Sequence, residues 1–451
     1  MTAPLGAPPA PAPATGWPAA AGLAAGGLAV TVAATALATA PGAPLRVGLT
    51  PVILLAAVVA VVAAVFRFEA FVLGALVVRA SLDALGGAES RAAEPATALG
   101  ALFIVASAAW LFANRDRLHR PGPVTWAALA FTAAAALGLP GGVAPGRGAI
   151  DLVRIAGAAL LLVVVEQLVR TDDARRRLLV AVGLSALVPL AVLAGQYLTG
   201  AGADVSGAAE RFTGTFNHPN PFGAYLGLVL VTLLATRAAA GRWSGLASVM
   251  ALACGVGLVA TYARGAWIAA LVGVAVVAAL ADRALLAKLG AALVAVLVLV
   301  PSATDRVLEL GDERHLAGTA GNSFTWRLDY WGAVLDLADN PVTGIGLTGV
   351  SARLTTAVPP HNDVLRVYVE TGGLGLVAYV TLLGAMAVVA WRCARRAPTA
   401  LGRAVGVAAA GCGAAFLWLS VSSNLISQVV VLWYLWAPVG AASAALAEAD
   451  A

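Results

Sequence analysis

The sequence predicts an all-α polytopic membrane protein with about 12–14 transmembrane helices and one long extracytoplasmic loop that contains short helices. Of the 451 residues, 61% are hydrophobic and only 11% are charged, whereas a soluble globular protein carries about 25% charged residues. Many uncharged runs approach the ~20 residues that a helix needs to cross a bilayer. Helices are the expected form of these runs because lipid-exposed backbone must satisfy its own hydrogen bonds.

The apolar runs follow one another along nearly the whole chain, and each is interpreted as one span. Residues 1–20 are rich in Pro and Ala and lack a basic region, so we expect a disordered tail rather than a signal peptide. We place about fourteen spans after this tail, near 21–40, 51–66, 69–86, 96–113, 123–140, 150–169, 178–198, 220–237, 244–262, 265–281, 285–302, 373–391, 404–422 and 425–447.

The basic residues between the spans predict the orientation. Five basic clusters alternate so that they share one face of the membrane, and cytoplasmic loops are enriched in Lys and Arg; the clusters are Arg115–Arg120, Arg170–Arg177, Arg237–Arg242, Arg283–Lys288 and Arg392–Arg403. The long loop 303–372 then lies outside the cytoplasm. We expect a multi-pass protein of a bacterial cytoplasmic membrane.

The chain divides at these boundaries into five parts. After the 1–20 tail come N-terminal transmembrane helices (21–198), transmembrane helices with two polar motifs (199–302), the long loop (303–372) and C-terminal transmembrane helices (373–451). The net charge of +5 arises from the loop clusters, so no nucleic acid partner is expected. Neither the three Cys residues nor the acidic residues have metal-site spacing, and we expect neither metal nor cofactor.

The first polar motif is Arg211–Asn220, immediately before a predicted span. Asn and Pro at a helix entrance are ordinary capping residues, and this interpretation covers Asn220 and Pro221. It does not explain Arg211. An Arg next to a helix N-terminus favours an anion site.

The second and third motifs also centre on arginines. Arg264 lies between two spans with almost no loop, where it either snorkels to the interface or marks a functional site. Arg327 could pair with Asp329 or Glu370, or bind an anion. The adjacent aromatic residues Trp326, Tyr330 and Trp331 are either interfacial belt residues, which is favoured for Trp331, or a platform for sugar stacking.

The fourth motif, Val358–Gly375, concentrates polar residues at the mouth of an apolar helix. His361 follows two prolines and precedes Asn362 and Asp363, a helix-capping pair. A His is suited to accept a proton near neutral pH. A short helix is expected to begin near Asn362 and to run straight into the next span. Another helix of the long loop is expected over Thr325–Ala338.

Together, these four motifs resemble the O-antigen ligase/polymerase superfamily over residues 200–380. The resemblance implies a metal-independent, inverting glycosyltransferase of the GT-C type, which moves a glycan from a polyprenyl-pyrophosphate carrier to an acceptor hydroxyl. It implies that Arg211, Arg264 and Arg327 hold the donor pyrophosphate. His361 would be the general base, with Asn362 or Glu370 in support. The resemblance also implies a supporting role within the motifs for Asn217, His218, Asn220, Tyr330 and Trp331.

The implied partners are a polyprenyl-pyrophosphate-linked glycan donor, membrane lipids, and a glycan, lipid or protein acceptor. A transporter of a small anion such as bicarbonate is the alternative. It would place ionisable residues deep in the membrane, and Asp151, Arg154 and Glu166 in one predicted span satisfy that condition. A scaffold protein is disfavoured by the polar motifs of the long loop.

Overall fold

The computed structural model describes residues 59–83, 95–201, 211–299, 304, 324–354 and 359–449. The predicted tail 1–20 and the span at 21–40 lie outside these residues, as do parts of the span at 51–66 and of the long loop. The α-helices discussed below are numbered in chain order: α1 (Phe68–Arg79), α2 (Pro95–Ala113), α3 (Pro123–Leu137), α4 (Pro145–Leu168), α5 (Asp172–Ser185), α6 (Leu187–Thr199), α7 (Pro219–Thr236), α8 (Ser244–Ala260), α9 (Arg264–Leu280), α10 (Ala284–Leu299), α11 (Phe324–Leu335), α12 (Gly349–Arg353), α13 (Asp363–Arg396), α14 (Ala400–Ser422) and α15 (Val429–Ala449).

The predicted fold class is confirmed. Seven helical stretches of the described residues are long and apolar enough to cross a membrane, and α3 and α9 are shorter apolar helices. α5 and α6 form one such stretch, from Asp172 to Thr199, which begins six residues before the predicted span 178–198. Its polar first turn is helical because Thr171 caps it by accepting a hydrogen bond from the amide of Ala174.

Several of the described helices begin at a recognisable signal. Proline occupies the first turn of α3, α4 and α7, where its missing N–H costs no intrahelical bond. His218, Asn362 and Thr399 cap α7, α13 and α14 by accepting a hydrogen bond from a backbone N–H of the first turn. The helix boundaries therefore follow from local sequence.

The centre of the bundle is α15. In the most apolar 18-residue stretch of α15, 94% of the residues are buried inside the protein, whereas in that of α2 only 11% are buried. Trp433 and Tyr434 of α15 are almost fully buried, and α4, α7, α13 and α14 pack around this helix. This difference in burial, and not a difference in apolar character, makes α15 the packing axis and α2 a peripheral helix.

Ion pairs and hydrogen bonds gather the basic clusters at one end of the bundle, here called the basic end. Arg175, which is 1% exposed in its side chain, pairs with Asp172 and with Glu448 at the end of α15. Arg177 pairs with Glu69 at 2.8 Å. Thr399 donates to Asp172 at 2.9 Å. The polar motifs lie at the other end, here called the motif end.

Helix α13 is interrupted at Gly372, which corrects the expectation of a helix that runs straight into the span. Gly372 has φ 67° and ψ −168°. The interruption exposes backbone groups that the helix would otherwise satisfy. The segment 341–346 of the long loop pairs with them: the amides of Ile345 and Gly346 donate to the carbonyls of Val369 and Glu370 at 3.0 and 2.9 Å, and those of Gly373 and Leu374 donate to the carbonyls of Pro341 and Val342 at 2.7 and 3.2 Å.

Two glycines allow this main-chain pairing. A Cβ at Gly344 would lie 2.4 Å from the carbonyl carbon of Glu370, and one at Gly372 would lie 2.3 Å from that of Val342. Both distances are far below contact, and both glycines have positive φ, which other residues rarely adopt. The glycines of the third and fourth motifs thus join the long loop to α13 through backbone alone.

Replacing Gly372 with Ala should destabilise the protein, because the added Cβ meets backbone atoms that cannot move aside and the positive φ adds strain. We expect a loss of about 2–4 kcal/mol in the free energy of unfolding, measured by denaturation in detergent micelles. Gly384→Ala, in the same helix with no atom within 4 Å of the added Cβ, is the matched control. Equal stability of the two variants would contradict the argument.

Candidate functional site

The first motif forms a fixed segment against the turn between α8 and α9. Arg211 is 6% exposed; its Nε donates to the carbonyl of Thr261 at 3.0 Å, and its Nη2 donates to Oδ1 of Asn220 at 2.8 Å. Asn217 is exposed. His218 caps α7 through Nδ1, which accepts from the amide of Asn220 at 3.1 Å. His218, and not the expected Asn220, is therefore the capping residue, and Arg211 links the first motif to the second.

The second motif lies beside the end of α14. Arg264 is the first residue of α9, and Tyr262 just before it has a left-handed backbone with φ 49°. A Cβ built on Gly265 would lie 3.6 Å from Oγ of Ser422, the last residue of α14. The turn that carries Arg264 is thus held next to the loop that follows α14.

The fourth motif reaches the same loop. The amide of His361 donates to Oδ1 of Asn424 at 2.8 Å. His361 itself is half-buried and has φ 51°, a left-handed conformation. A non-glycine residue in this conformation often marks a functional site. Residues 422–424 therefore lie between the Arg264 turn and His361.

His361 lies in a positively charged environment. Desolvation and the charges of Arg327 and His218 lower the pKa of His361 to about 4. Desolvation and the charge of Arg211 likewise lower the pKa of His218. The charge effects of Arg327, His218 and Arg211 require that these groups lie near the histidines they act on. Arg211, His218, His361 and Arg327 thus form one electrostatic group, although they come from separate parts of the sequence.

The third motif packs over the fourth. Nε1 of the half-buried Trp331 donates to the carbonyl of Pro360 at 2.7 Å, and Tyr330 packs with Val334 and Val369 in a small apolar cluster. Burial lowers the pKa of the half-buried Arg327. The aromatic residues hold α11 against the His361 segment, which gives Trp331 a specific contact in addition to the expected interfacial position.

Asn362 and Glu370 lie in different environments from that of His361. Oδ1 of Asn362 accepts from the amide of Leu365 at 3.0 Å, as an N-cap. Glu370 is fully buried and accepts from Nε of Arg366 at 2.9 Å. Glu370 therefore pairs with Arg366 and not with Arg327. These contacts make both side chains structural supports of α13.

Arg366 is the centre of a buried charge network that the sequence reasoning missed. Its Nη2 donates to Oδ2 of Asp151 on α4 at 2.7 Å, and its Nη1 donates to Oγ of Ser427 at 3.2 Å. Asp151 also pairs with Arg154 at 2.9 Å, as the i, i+3 spacing predicted. The sequence did contain a signal for this network, because Asp363, Arg366 and Glu370 recur at i, i+3 and i+7 and therefore share one face of α13.

Glu166, the other acidic candidate for a transport path, lies near the other end of α4. Its carboxylate accepts hydrogen bonds from Oγ1 of Thr125, from Oγ of Ser443 and from the amide of Gly122. The carboxylate is therefore saturated by structural donors. The described residues contain no group of three or more His, Cys, Asp or Glu side chains that could hold a metal ion.

The fold and this site define a multi-pass membrane protein with a cationic, histidine-containing centre at one end of its helix bundle. Over residues 247–380 the sequence matches the family model of O-antigen ligases, which confirms the resemblance to the O-antigen ligase/polymerase superfamily. The match includes Arg264, Arg327 and His361 and begins after the first motif. No curated protein matches the chain. The family match supports a ligase role in glycosyl transfer with a lipid-linked glycan.

Proposed function

We propose that this protein is a metal-independent, inverting glycosyltransferase. It moves a glycan from a polyprenyl-pyrophosphate carrier to an acceptor hydroxyl on the outer side of a bacterial cytoplasmic membrane. The observation that carries the proposal is the position of His361 among cationic groups, beside the loop that also borders Arg264. The O-antigen ligase match over the same residues supports it.

The charges of the site suit a pyrophosphate. Arg327, Arg264 and Arg211 supply positive charge from three segments, and guanidinium groups bind phosphate oxygens in pairs. Arg211 also bonds to Thr261 and Asn220, so it binds with little loss of side-chain freedom. Positive charge placed before the reaction stabilises the leaving group as it forms.

His361 is suited to accept the acceptor's proton. With a pKa lowered to about 4 the imidazole is neutral at physiological pH, which is the form that a general base requires. In the proposed step the proton of the acceptor hydroxyl moves to the imidazole of His361. The hydroxyl oxygen bonds to the anomeric carbon, whose bond to the pyrophosphate oxygen breaks, and the leaving pyrophosphate takes the electron pair.

The pH dependence of transfer should show this charge environment. The acid limb of kcat/KM should lie near the low pKa of His361, about 4, below the ordinary value of about 6.5. Bound pyrophosphate favours the protonated histidine. The acid limb of the kcat profile, which reports the donor-bound enzyme, should therefore lie at higher pH than the acid limb of kcat/KM. Arg327→Met should raise the kcat/KM limb, since it removes a positive charge. If the acid limbs of kcat and kcat/KM coincided in wild type and stayed at the same pH in Arg327→Met, the proposed effect of charge on His361 would be contradicted.

The proposal is tested with the full chain in lipid nanodiscs. The substrate is a polyprenyl-pyrophosphate oligosaccharide with a defined anomeric centre, and the acceptor is a second carrier-linked oligosaccharide or a free glycan. We expect EDTA-resistant transfer with inversion, measured by mass spectrometry and NMR. We expect Arg264→Ala to bind the donor more weakly and to lose transfer. Transfer that survives in both Arg264→Ala and His361→Ala would overturn the proposal.

Anion transport is the alternative function, and the same preparation tests it. Of the three charges expected of a transport path, Asp151 and Glu166 are buried and Arg154 is exposed, and all three are engaged with neighbouring residues. Proteoliposomes that accumulate bicarbonate in a manner abolished by Asp151→Asn, without any glycan transfer, would establish transport instead.

A further inference from the structure

Three hydrogen bonds fix the short segment that carries His361. Nε1 of Trp331 donates to the carbonyl of Pro360 at 2.7 Å. The side-chain amide of Asn424 makes the other two: its Oδ1 accepts from the amide of His361 at 2.8 Å, and its Nδ2 donates to the carbonyl of Pro359 at 3.4 Å. Asn424 is therefore hydrogen-bonded to the residues on both sides of Pro360.

We infer that Asn424 is a positioning residue for His361 and that the α14–α15 loop, residues 423–428, forms one wall of the reaction site. This inference rests on the proposed function. It concerns a residue that lies outside the four polar motifs and beyond the part of the chain matched by the O-antigen ligase family model.

The backbone of His361 requires such support. Its φ of 51° is a conformation that a non-glycine residue keeps only when its surroundings hold it there. Because the amide of His361 itself donates this hydrogen bond to Oδ1 of Asn424, the bond acts at the strained residue. Loss of this bond would let the segment relax toward ordinary φ values and would redirect the imidazole.

The loop that carries Asn424 is itself anchored. The buried carboxylate of Asp363 accepts from the amide of Leu425 at 2.9 and 3.0 Å and from that of Ile426 at 3.4 Å. Arg366 donates to Ser427 at 3.2 Å. The beginning of α13 thus holds the loop, and the loop in turn holds the residues before α13.

The same loop also contacts the other side of the site. Ser422, which precedes it, lies next to Gly265 and hence next to the turn that carries Arg264. The loop therefore spans the gap between a proposed pyrophosphate ligand and the proposed base. Since a base must reach within hydrogen-bond distance of its proton, a rigid element between Arg264 and His361 fixes their relative position.

The test compares substitutions of Asn424 in nanodiscs. Asn424→Ala should lower kcat by about ten- to a hundred-fold, the effect of a misplaced catalytic group, and leave the KM for the donor within about two-fold of wild type. Asn424→Asp keeps the oxygen that accepts from His361 and should restore most of kcat. Its negative charge should move the acid limb of the pH profile upward. Asn114→Ala, the control, removes a side-chain amide that donates to the carbonyl of Trp110 at the basic end, and it should match wild type.

A second measurement does not depend on activity. Diethyl pyrocarbonate modifies neutral imidazoles, and mass spectrometry gives the rate at His361, with the exposed His119 as internal reference. Asn424→Ala should increase the rate at His361 several-fold without changing the rate at His119. The inference is overturned if wild type transfers glycan and Asn424→Ala alters neither kcat nor this rate. If Asn424→Ala changed the modification rate at His361 but the wild-type protein transferred no glycan, the contact between Asn424 and His361 would be supported and the proposed function would be overturned.

Discussion

Replacing His361 should reduce glycan transfer by about 10²–10⁴-fold, the contribution of a general base. His361→Asn is the preferred variant, because Asn tolerates the left-handed backbone found at this position and supplies no base. Donor binding should persist, since the arginines of the site remain. The loss should therefore appear in kcat, measured with saturating carrier-linked donor in nanodiscs.

Two controls make the result specific. His119→Ala removes an exposed histidine at the basic end and should leave transfer unchanged. His218→Ala removes the other histidine that the described residues place at the motif end. If kcat stayed within about three-fold of wild type in His361→Asn and fell in His218→Ala, the base would be His218 and our assignment would be wrong.

Replacing Arg366 with Met should produce the largest loss of stability. The side chains of Arg366, Asp151 and Glu370 are 5%, 7% and 1% exposed. The substitution therefore leaves the buried carboxylate of Glu370 without its cation and leaves Asp151 paired with Arg154 alone. Removing one partner from a buried ion pair costs about 3–5 kcal/mol. The free energy of unfolding, measured by denaturation in mixed micelles, should fall by this amount.

Arg353→Met is the matched control for Arg366→Met. Arg353 pairs with Asp339 at the surface, where the side chains are 33% and 63% exposed, and such pairs contribute about 1 kcal/mol or less. Adding Glu370→Gln to Arg366→Met should recover part of the lost stability, because it removes one uncompensated charge. An Arg366→Met protein as stable as Arg353→Met would show that the network is dispensable.

Local sequence predicted the helices well, because their signals lie within a few residues of each boundary. The predicted span 123–140 corresponds to α3, which begins at Pro123 and ends at Leu137. The helix predicted over Thr325–Ala338 ends three residues early, at Leu335. The break at Gly372 was missed because it depends on the segment 341–346, whose amides and carbonyls replace those of the helix.

The site was predictable only in part, since its distant contacts leave no local signal. Arg264 and His361 were identified from residue type and position. Asn424 was not, because a polar residue between two spans resembles any loop residue, and its bond to His361 crosses 63 positions of sequence. Glu370 was expected as one possible partner of Arg327, but its partner is Arg366, one turn earlier in α13, which also donates to Asp151 of α4.

The pairing of segment 341–346 with α13 makes Val342 a suitable reporter of membrane sidedness. Its backbone is engaged while its side chain is 56% exposed, so Val342→Cys should fold normally. The three native cysteines are buried, which leaves Cys at 342 as the accessible thiol among the described residues. A membrane-impermeant maleimide should label it in intact cells, and Asp173→Cys at the basic end only after permeabilisation. The opposite pattern would place the motif end in the cytoplasm, where no exported glycan could reach it.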